Sequence, residues 1–305
     1  MNVALTALRP PLANERPVSY EKYHYDSLEA GDIDPSYEML RYLCRRFDLN
    51  MEQRFWLAFL YATCYCGPTV YAIYNEFPDF NMADEGRLER WWSESKSKLY
   101  FQTDRRWIRS RNQWCDVFRS YRGRVGKLSQ QQFFSTFKTP DPLLNYENAW
   151  RELSSVYQMG RFAMFLWLEA IHVVTGFPMK PSGMDMREAE SCRNGLAFAI
   201  RRPDLNTHDG AKISIQDQAF LQDQFNKMTS RMQSEDPRNT IWNIETSLCA
   251  YKKYCFGKRW VGYYLDRQAE EIEKLQGAVK DGVDWSVLWD YRRETYQTKF
   301  LKEFR

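Results

Sequence analysis

Apolar residues recur every three or four positions along most of the chain, and the runs begin at recognisable caps. Asp34-Pro35 supplies an N-cap followed by proline at the first helical position, and Met39, Leu40, Leu43, Cys44 and Phe47 then fall at helical spacing. Asn50 with Gln53 three residues on has the form of a capping box ahead of 55–66, and Pro68 can open the next helix. The same periodicity predicts helices near 86–97, 112–122, 129–137, 145–157, 159–175, 185–199, 214–229, 239–254, 260–277 and 284–303. Alternating strand patterns are hard to find, so the expected fold is all-α. The runs 55–66 and 162–174 are apolar on every side, which predicts central buried helices rather than surface ones.

Loops are expected at 138–144, 176–184 and 201–212, where Pro, Gly and Asp gather. None is long or polar enough for a free linker. The expected organisation is an N-terminal tail of residues 1–18 followed by a single compact helical domain over 19–305. The longest apolar run, 55–74, carries Cys64, Cys66, Gly67 and Pro68 at its middle, so it splits into two buried segments instead of one membrane span. With no signal-peptide pattern at the start, a cytoplasmic protein without membrane attachment is expected.

Composition narrows this picture without changing it. In 305 residues, 16% aromatic content and only 14 Gly and 12 Pro exclude disordered and collagen-like chains. Seven cysteines scattered on apolar stretches read as reduced thiols. With three His and no Cys-x-x-Cys, His-x-Glu or His-Glu-x-x-His, the ligand sets of zinc hydrolases and zinc deaminases are missing, and no metal site is expected. Cys64 and Cys66 read as small buried residues on a helix. Gly123-Arg-Val-Gly126-Lys127 fails as a phosphate loop. Tyr121 stands where the earlier Gly is needed, and Leu128 where Ser or Thr would hold magnesium.

Charge is balanced overall, at +3, but not evenly placed. Between Lys98 and Lys127 lie nine bases and two acids, Asp104 and Asp116, a net of +7. Tyr100, Phe101, Trp107, Trp114, Phe118 and Tyr121 interleave with the bases. That mixture suits phosphate contact with base stacking, and equally suits a solvated helix face whose rings enter the core. Within it, Gln102-Thr-Asp104-Arg105-Arg106 sets a carboxylate beside two guanidinium groups, able to take a proton and to bind phosphate oxygens, or else to cap a helix. Arg161 and Arg193 open or interrupt apolar runs. They are either ion-paired, with Glu169 or Glu190 as candidates, or face an anion from a pocket. Lys252, Lys253, Lys258 and Arg259 form a second basic group, explained by DNA-backbone contact or by the C-terminal end of a helix dipole.

Six segments together carry a resemblance. They are Phe55-Trp-Leu-Ala-Phe-Leu-Tyr-Ala-Thr-Cys-Tyr-Cys-Gly-Pro-Thr, Asn75-Glu-Phe-Pro-Asp79, Phe101-Gln-Thr-Asp-Arg-Arg106, Gly160-Arg161-Phe162, Ser191-Cys-Arg-Asn-Gly195 and Leu248-Cys-Ala-Tyr-Lys-Lys253. They resemble bacteriophage amino acid:DNA transferases, also called α-glutamyl/putrescinyl thymine pyrophosphorylases, in the clades not fused to the hydroxymethyluracil DNA kinase. The similarity covers roughly residues 20 to 270.

The resemblance implies a helical fold related to base-flipping DNA glycosylases, and a reaction in the cytoplasm of a phage-infected bacterial host. A separate kinase prepares pyrophosphorylated 5-hydroxymethyluracil in double-stranded phage DNA. The transferase then displaces pyrophosphate with the amine of a free amino acid or polyamine, leaving a hypermodified thymine. No cofactor is implied, although a divalent metal can accompany pyrophosphate. Chemistry applied to the matching positions makes Asp104 the acceptor of the amine's proton and sets Arg105, Arg106 and Arg161 on the departing pyrophosphate. Gln102, Tyr65, Arg193 and Asn194 are expected to bind substrate, and Arg109, Arg122, Lys252, Lys253 and Arg259 to contact DNA. The competing expectations are a helical DNA-binding protein without chemistry and a glycosylase that excises the base.

Overall fold

The structure, a computed structural model, describes residues 16–83, 85–101, 113–207, 213–279 and 282–304. Its regular elements are α1 (Tyr20–Ala30), α2 (Pro35–Arg46), α3 (Met51–Cys64), α4 (Gly67–Glu76), α5 (Glu85–Ser95), α6 (Trp114–Val125), α7 (Gln130–Ser135), α8 (Pro142–Leu153), α9 (Arg161–Thr175), α10 (Glu190–Ala199), α11 (Ile215–Glu235), α12 (Ile241–Cys255), α13 (Tyr263–Ala278) and α14 (Ser286–Thr295). Short 3₁₀ turns occupy Pro203–Leu205, Thr298–Phe300 and Lys302–Phe304. No strand occurs among the described residues. The protein is all-α, and no described helix is long and apolar enough to cross a membrane.

Local chemistry sets many of the helix ends. Asn50 and Gln53 close both halves of the capping box at the start of α3. Tyr65, at φ 46°, ends α3 in the left-handed region, so Cys66 is the N-cap of α4 and not a member of the preceding helix. The break arises because Pro68 pre-sets the first turn of α4. Two further expectations need correction. Helix α8 begins at Pro142 inside the expected loop, with Asp141 accepting from the Leu143 amide, and α14 stops at Thr295 in place of running on to 303. Helix α1 lay outside the expected elements. Its buried face includes Tyr20, Tyr23, His24, Asp26 and Ser27, of which Tyr20, His24 and Asp26 are held by hydrogen bonds, so it gives a weak apolar rhythm.

Contacts gather the described chain into two compact units. One comprises 16–35, 182–267 and 296–304, and the other 36–181 and 268–295. In the second unit, α3 packs along α9, and residues 55–64 are almost wholly buried, as are 163–171. Around that pair the core is aromatic: Phe59 stacks on Tyr121 at 4.6 Å, Trp92 on Trp114 at 4.3 Å, and Tyr121 meets Trp167 edge-on at 4.9 Å. The Glu52 carboxylate accepts from the Gln130 and Gln131 amides and so fixes the N-terminus of α7.

In the first unit, α12 packs along α10 and also touches α1. Asp32 accepts from the amides of Gly262, Tyr264 and Leu265, which joins the loop after α1 to the first turn of α13. Burial pushes its carboxyl up to about 7, against the pull of those three donors. Of the expected tail, residues 16–18 are described, and the Val18 carbonyl accepts from the Tyr251 hydroxyl at 2.7 Å.

Candidate active site

In the first unit, the Ser-Cys-Arg-Asn-Gly and Leu-Cys-Ala-Tyr-Lys-Lys segments meet. A Cβ built on Gly195 would lie 2.0 Å from the Leu248 carbonyl oxygen, so α10 and α12 approach at a distance only glycine permits. Next to it, Arg193 is buried at 4% exposure. Its guanidinium donates to the carbonyls of Met186 and Arg187, both at 2.8 Å, and to Thr207 Oγ1 at 3.0 Å. Asn194 pairs with the Thr207 backbone, donating to its carbonyl at 2.6 Å and accepting from its amide at 3.0 Å. The donors given by Arg193 and Asn194 in these bonds therefore go to the chain's own loop.

The basic group of the same unit divides by exposure. Lys253 is exposed in the last turn of α12, where Lys252 is half-buried, and both complement the helix dipole there. Arg259 bonds the Tyr264 hydroxyl, and its guanidinium lies 5.0 Å from the Tyr263 ring centroid and 4.7 Å from that of Tyr264.

In the second unit, Arg161 is the first residue of α9, half-buried, after a Gly160 cap that offers no side-chain acceptor. Tyr146 of α8 lies within the electrostatic reach of Arg161 and Glu169. Burial pushes the Tyr146 hydroxyl up, Glu169 adds to the rise and Arg161 opposes it. Phe162 meets the Tyr65 ring edge-on at 5.7 Å, so the half-buried Tyr65 stands beside the start of α9.

A polar cluster in this unit was not anticipated. The Cys66 thiol donates to Glu271 Oε2 at 3.6 Å, and burial followed by the Glu271 charge pushes that thiol well above its ordinary value. Thr69 accepts from the Tyr100 amide at 3.2 Å and donates to the Tyr100 carbonyl, while Lys274 sits 4.4 Å above the Tyr100 ring centroid. One turn back on α13, Gln268 accepts from Arg292, which has no solvent exposure at all. A signal for Arg292 existed: it lies at i+7 and i+4 from Trp285 and Leu288, on the buried stripe of α14.

Gln102, Asp104, Arg105, Arg106 and Arg109 lie outside the described residues. Of the other bases in that stretch, Arg122 donates to the Ala83 carbonyl at 2.9 Å and lies 5.9 Å from the ring centroids of both Phe80 and Phe118. Arg119 pairs with Glu89 and Asp116, and Arg124 with Glu152. Tyr65 and Arg161 thus belong to one unit, and Arg193, Asn194, Lys252, Lys253 and Arg259 to the other. Among the described residues no group of three His, Cys, Asp or Glu is arranged to hold a metal ion.

Comparison with known proteins adds a separate line of evidence. A family model described as amino acid:DNA transferase matches residues 28–259. The chain is also 27% identical over 264 residues to a protein named serinyltransferase from Salmonella phage ViI, an alignment covering 80% of this chain and 63% of that relative. This chain therefore spans less than two thirds of the relative's length. No solved structure matches it.

Proposed function

Because the chain belongs to the amino acid:DNA transferase family, we propose that it joins the amine of a free amino acid to a modified thymine in double-stranded DNA. The amine attacks the exocyclic methylene of pyrophosphorylated 5-hydroxymethyluracil. A C–N bond forms, the C–O bond breaks, and pyrophosphate leaves with the electron pair. The observation that carries this reading is the family match, which runs through residues of both units. Similarity to a protein named serinyltransferase makes serine the first amine to try.

The roles follow from charge. Arg105, Arg106 and Arg161 neutralise the leaving pyrophosphate, and Asp104 takes the ammonium proton so that the nitrogen lone pair is free. Tyr65 and Gln102 contact the base. Arg193 and Asn194 serve the substrate through the loop they grip, where Thr207 is their partner. Lys252, Lys253, Arg109, Arg122 and Arg259 contact the DNA backbone. The leaving group is already on the DNA when it arrives from a separate kinase, so the reaction needs no ATP.

The test incubates the protein with DNA carrying pyrophosphorylated 5-hydroxymethyluracil and L-serine, without ATP, and analyses the nucleosides by mass spectrometry. A serine adduct with released pyrophosphate is expected. Unaltered nucleosides would favour a binding protein, and free base would favour excision. Asp104→Asn is expected to be slow at neutral pH and to recover in part at high pH, where the amine loses its proton unaided.

A further inference from the structure

The second unit holds a cavity of about 300 Å³ between α4, α5 and the end of α13. That is at the small end of the range for ligand sites, about 300–1,000 Å³, and suits an amino acid better than a nucleotide. One wall is a row of donors. Trp91, Ser95 and Lys98 follow each other at i, i+4 and i+7 along and just beyond α5, and all three line the cavity. Among the described residues none offers a hydrogen-bond or ion-pair partner to the Trp91 indole N–H, the Ser95 hydroxyl or the Lys98 ammonium. Glu76 of α4 also lines the cavity, and its carboxylate is held by Arg87 at 2.8 Å.

The remaining wall is kept open by glycine. Among the described residues, a Cβ built on Gly277 or on Gly282 meets nothing within 4 Å. Asn75 donates to the Gly282 carbonyl at 2.6 Å, which ties Gly282 to α4 at the rim. Among the described residues of the unit no side chain takes up these donors, and Lys98 begins the basic stretch that stood out in the sequence.

We propose that this cavity binds the free amino acid as a zwitterion, its carboxylate read by Lys98, Ser95 and Trp91 and its ammonium by Glu76. The charge pattern selects this ligand. Among the described lining residues Lys98 is the cation and Glu76, shared with Arg87, the carboxylate, which suits one negative and one positive group better than pyrophosphate, a ligand that needs several cations and no acid nearby. The inference rests on the transferase reading, but is tested by binding alone.

The experiment uses the full chain and titrates L-serine, ethanolamine and inorganic pyrophosphate calorimetrically. Wild type is expected to bind L-serine and not ethanolamine, which lacks the carboxylate. Lys98→Met removes a charge-assisted contact and should weaken serine by about 10- to 100-fold. Gly277→Leu adds a side chain to the open wall at a helical position and should abolish binding, with its fold checked by circular dichroism. In turnover, Lys98→Met should raise KM for serine by a larger factor than it lowers kcat. Serine affinity unchanged in both variants would overturn the proposal, as would pyrophosphate binding that both variants lose. Serine binding without any DNA adduct would instead overturn the transferase reading and leave the cavity assignment standing.

Discussion

His24 has no solvent exposure and stands within a chain of hydrogen bonds that run one way. Asn239 spends its amide N–H groups on Met232 and Tyr25, so its Oδ1 must accept from His24 Nε2 at 2.8 Å. Nδ1 is then the acceptor for the Ser247 hydroxyl at 2.8 Å, and Ser247 accepts in turn from Tyr20 at 2.8 Å. Burial holds the His24 pKa below its ordinary 6.5, so the unfolded chain takes up the proton first. The stability this neutral ring supplies is present above about pH 6.5 and is lost as pH falls towards its lower native value. Asp32, raised to about 7, runs the other way, adding stability as pH falls from 7 towards 3.8. Comparing wild type with His24→Gln cancels that term. Urea midpoints at about pH 7.5 and 5 should show wild type losing more stability on acidification than the variant. Equal losses would refute a His24 ring held neutral by burial. None of this was legible in the sequence, where His24 is one of three histidines and its partners are more than 200 positions away.

At the scale of elements, the contact between α10 and α12 depends on one missing methyl group. The neighbour that a Cβ at position 195 would strike is the Leu248 carbonyl, a backbone atom that cannot swing aside as a side chain can. Overpacking costs typically about 1–3 kcal/mol, and Gly195→Ala should fall at or above the top of that range. Equilibrium denaturation measures it, and a change under about 0.5 kcal/mol would show that the helices can separate freely. The sequence displayed both halves of this contact as motifs but not their meeting, because spacing along a chain says nothing of which helices pack. It was more informative about helix starts. Asp34-Pro35 and Asn50 with Gln53 mark α2 and α3, and Asp141-Pro142 carries the same signal for α8 although the turn-rich residues around it read as loop. Helix α1 stayed hidden because the face it buries is made of tyrosine, histidine and serine, whose burial requires partners that lie elsewhere in the chain.

For the whole molecule, the net charge of the 98–127 stretch overstates what DNA would meet. Glu89 and Glu152, both outside that stretch, pair with Arg119 and Arg124. Lys127 and Lys253 are exposed and have no ion-pair partner among the described residues. If DNA binds, replacing both by Ala should flatten the log–log salt dependence by nearly two units, at about 0.9 for each phosphate contact. Arg119→Ala with Arg124→Ala should flatten it much less, and fluorescence anisotropy across a salt series distinguishes the two pairs. A slope indifferent to Lys127 and Lys253 would return them to plain surface cations. The acids that neutralise this stretch were visible as residues, yet their partners depend on tertiary packing.

The division of the chain into 16–35, 182–267 and 296–304 against 36–181 and 268–295 also bears on how the protein comes into being. A ribosome delivers residues in order, and α14, which completes the second unit, emerges only after most of the first has been made. The first must wait longer, because the Tyr296 ring packs over Gly31 and its hydroxyl donates to the Pro35 carbonyl at 3.3 Å. A nascent chain therefore carries the apolar surface of α3 until α9 follows it, and neither unit has its full complement of residues until the chain has passed α14, the interval in which unfinished proteins depend on chaperones.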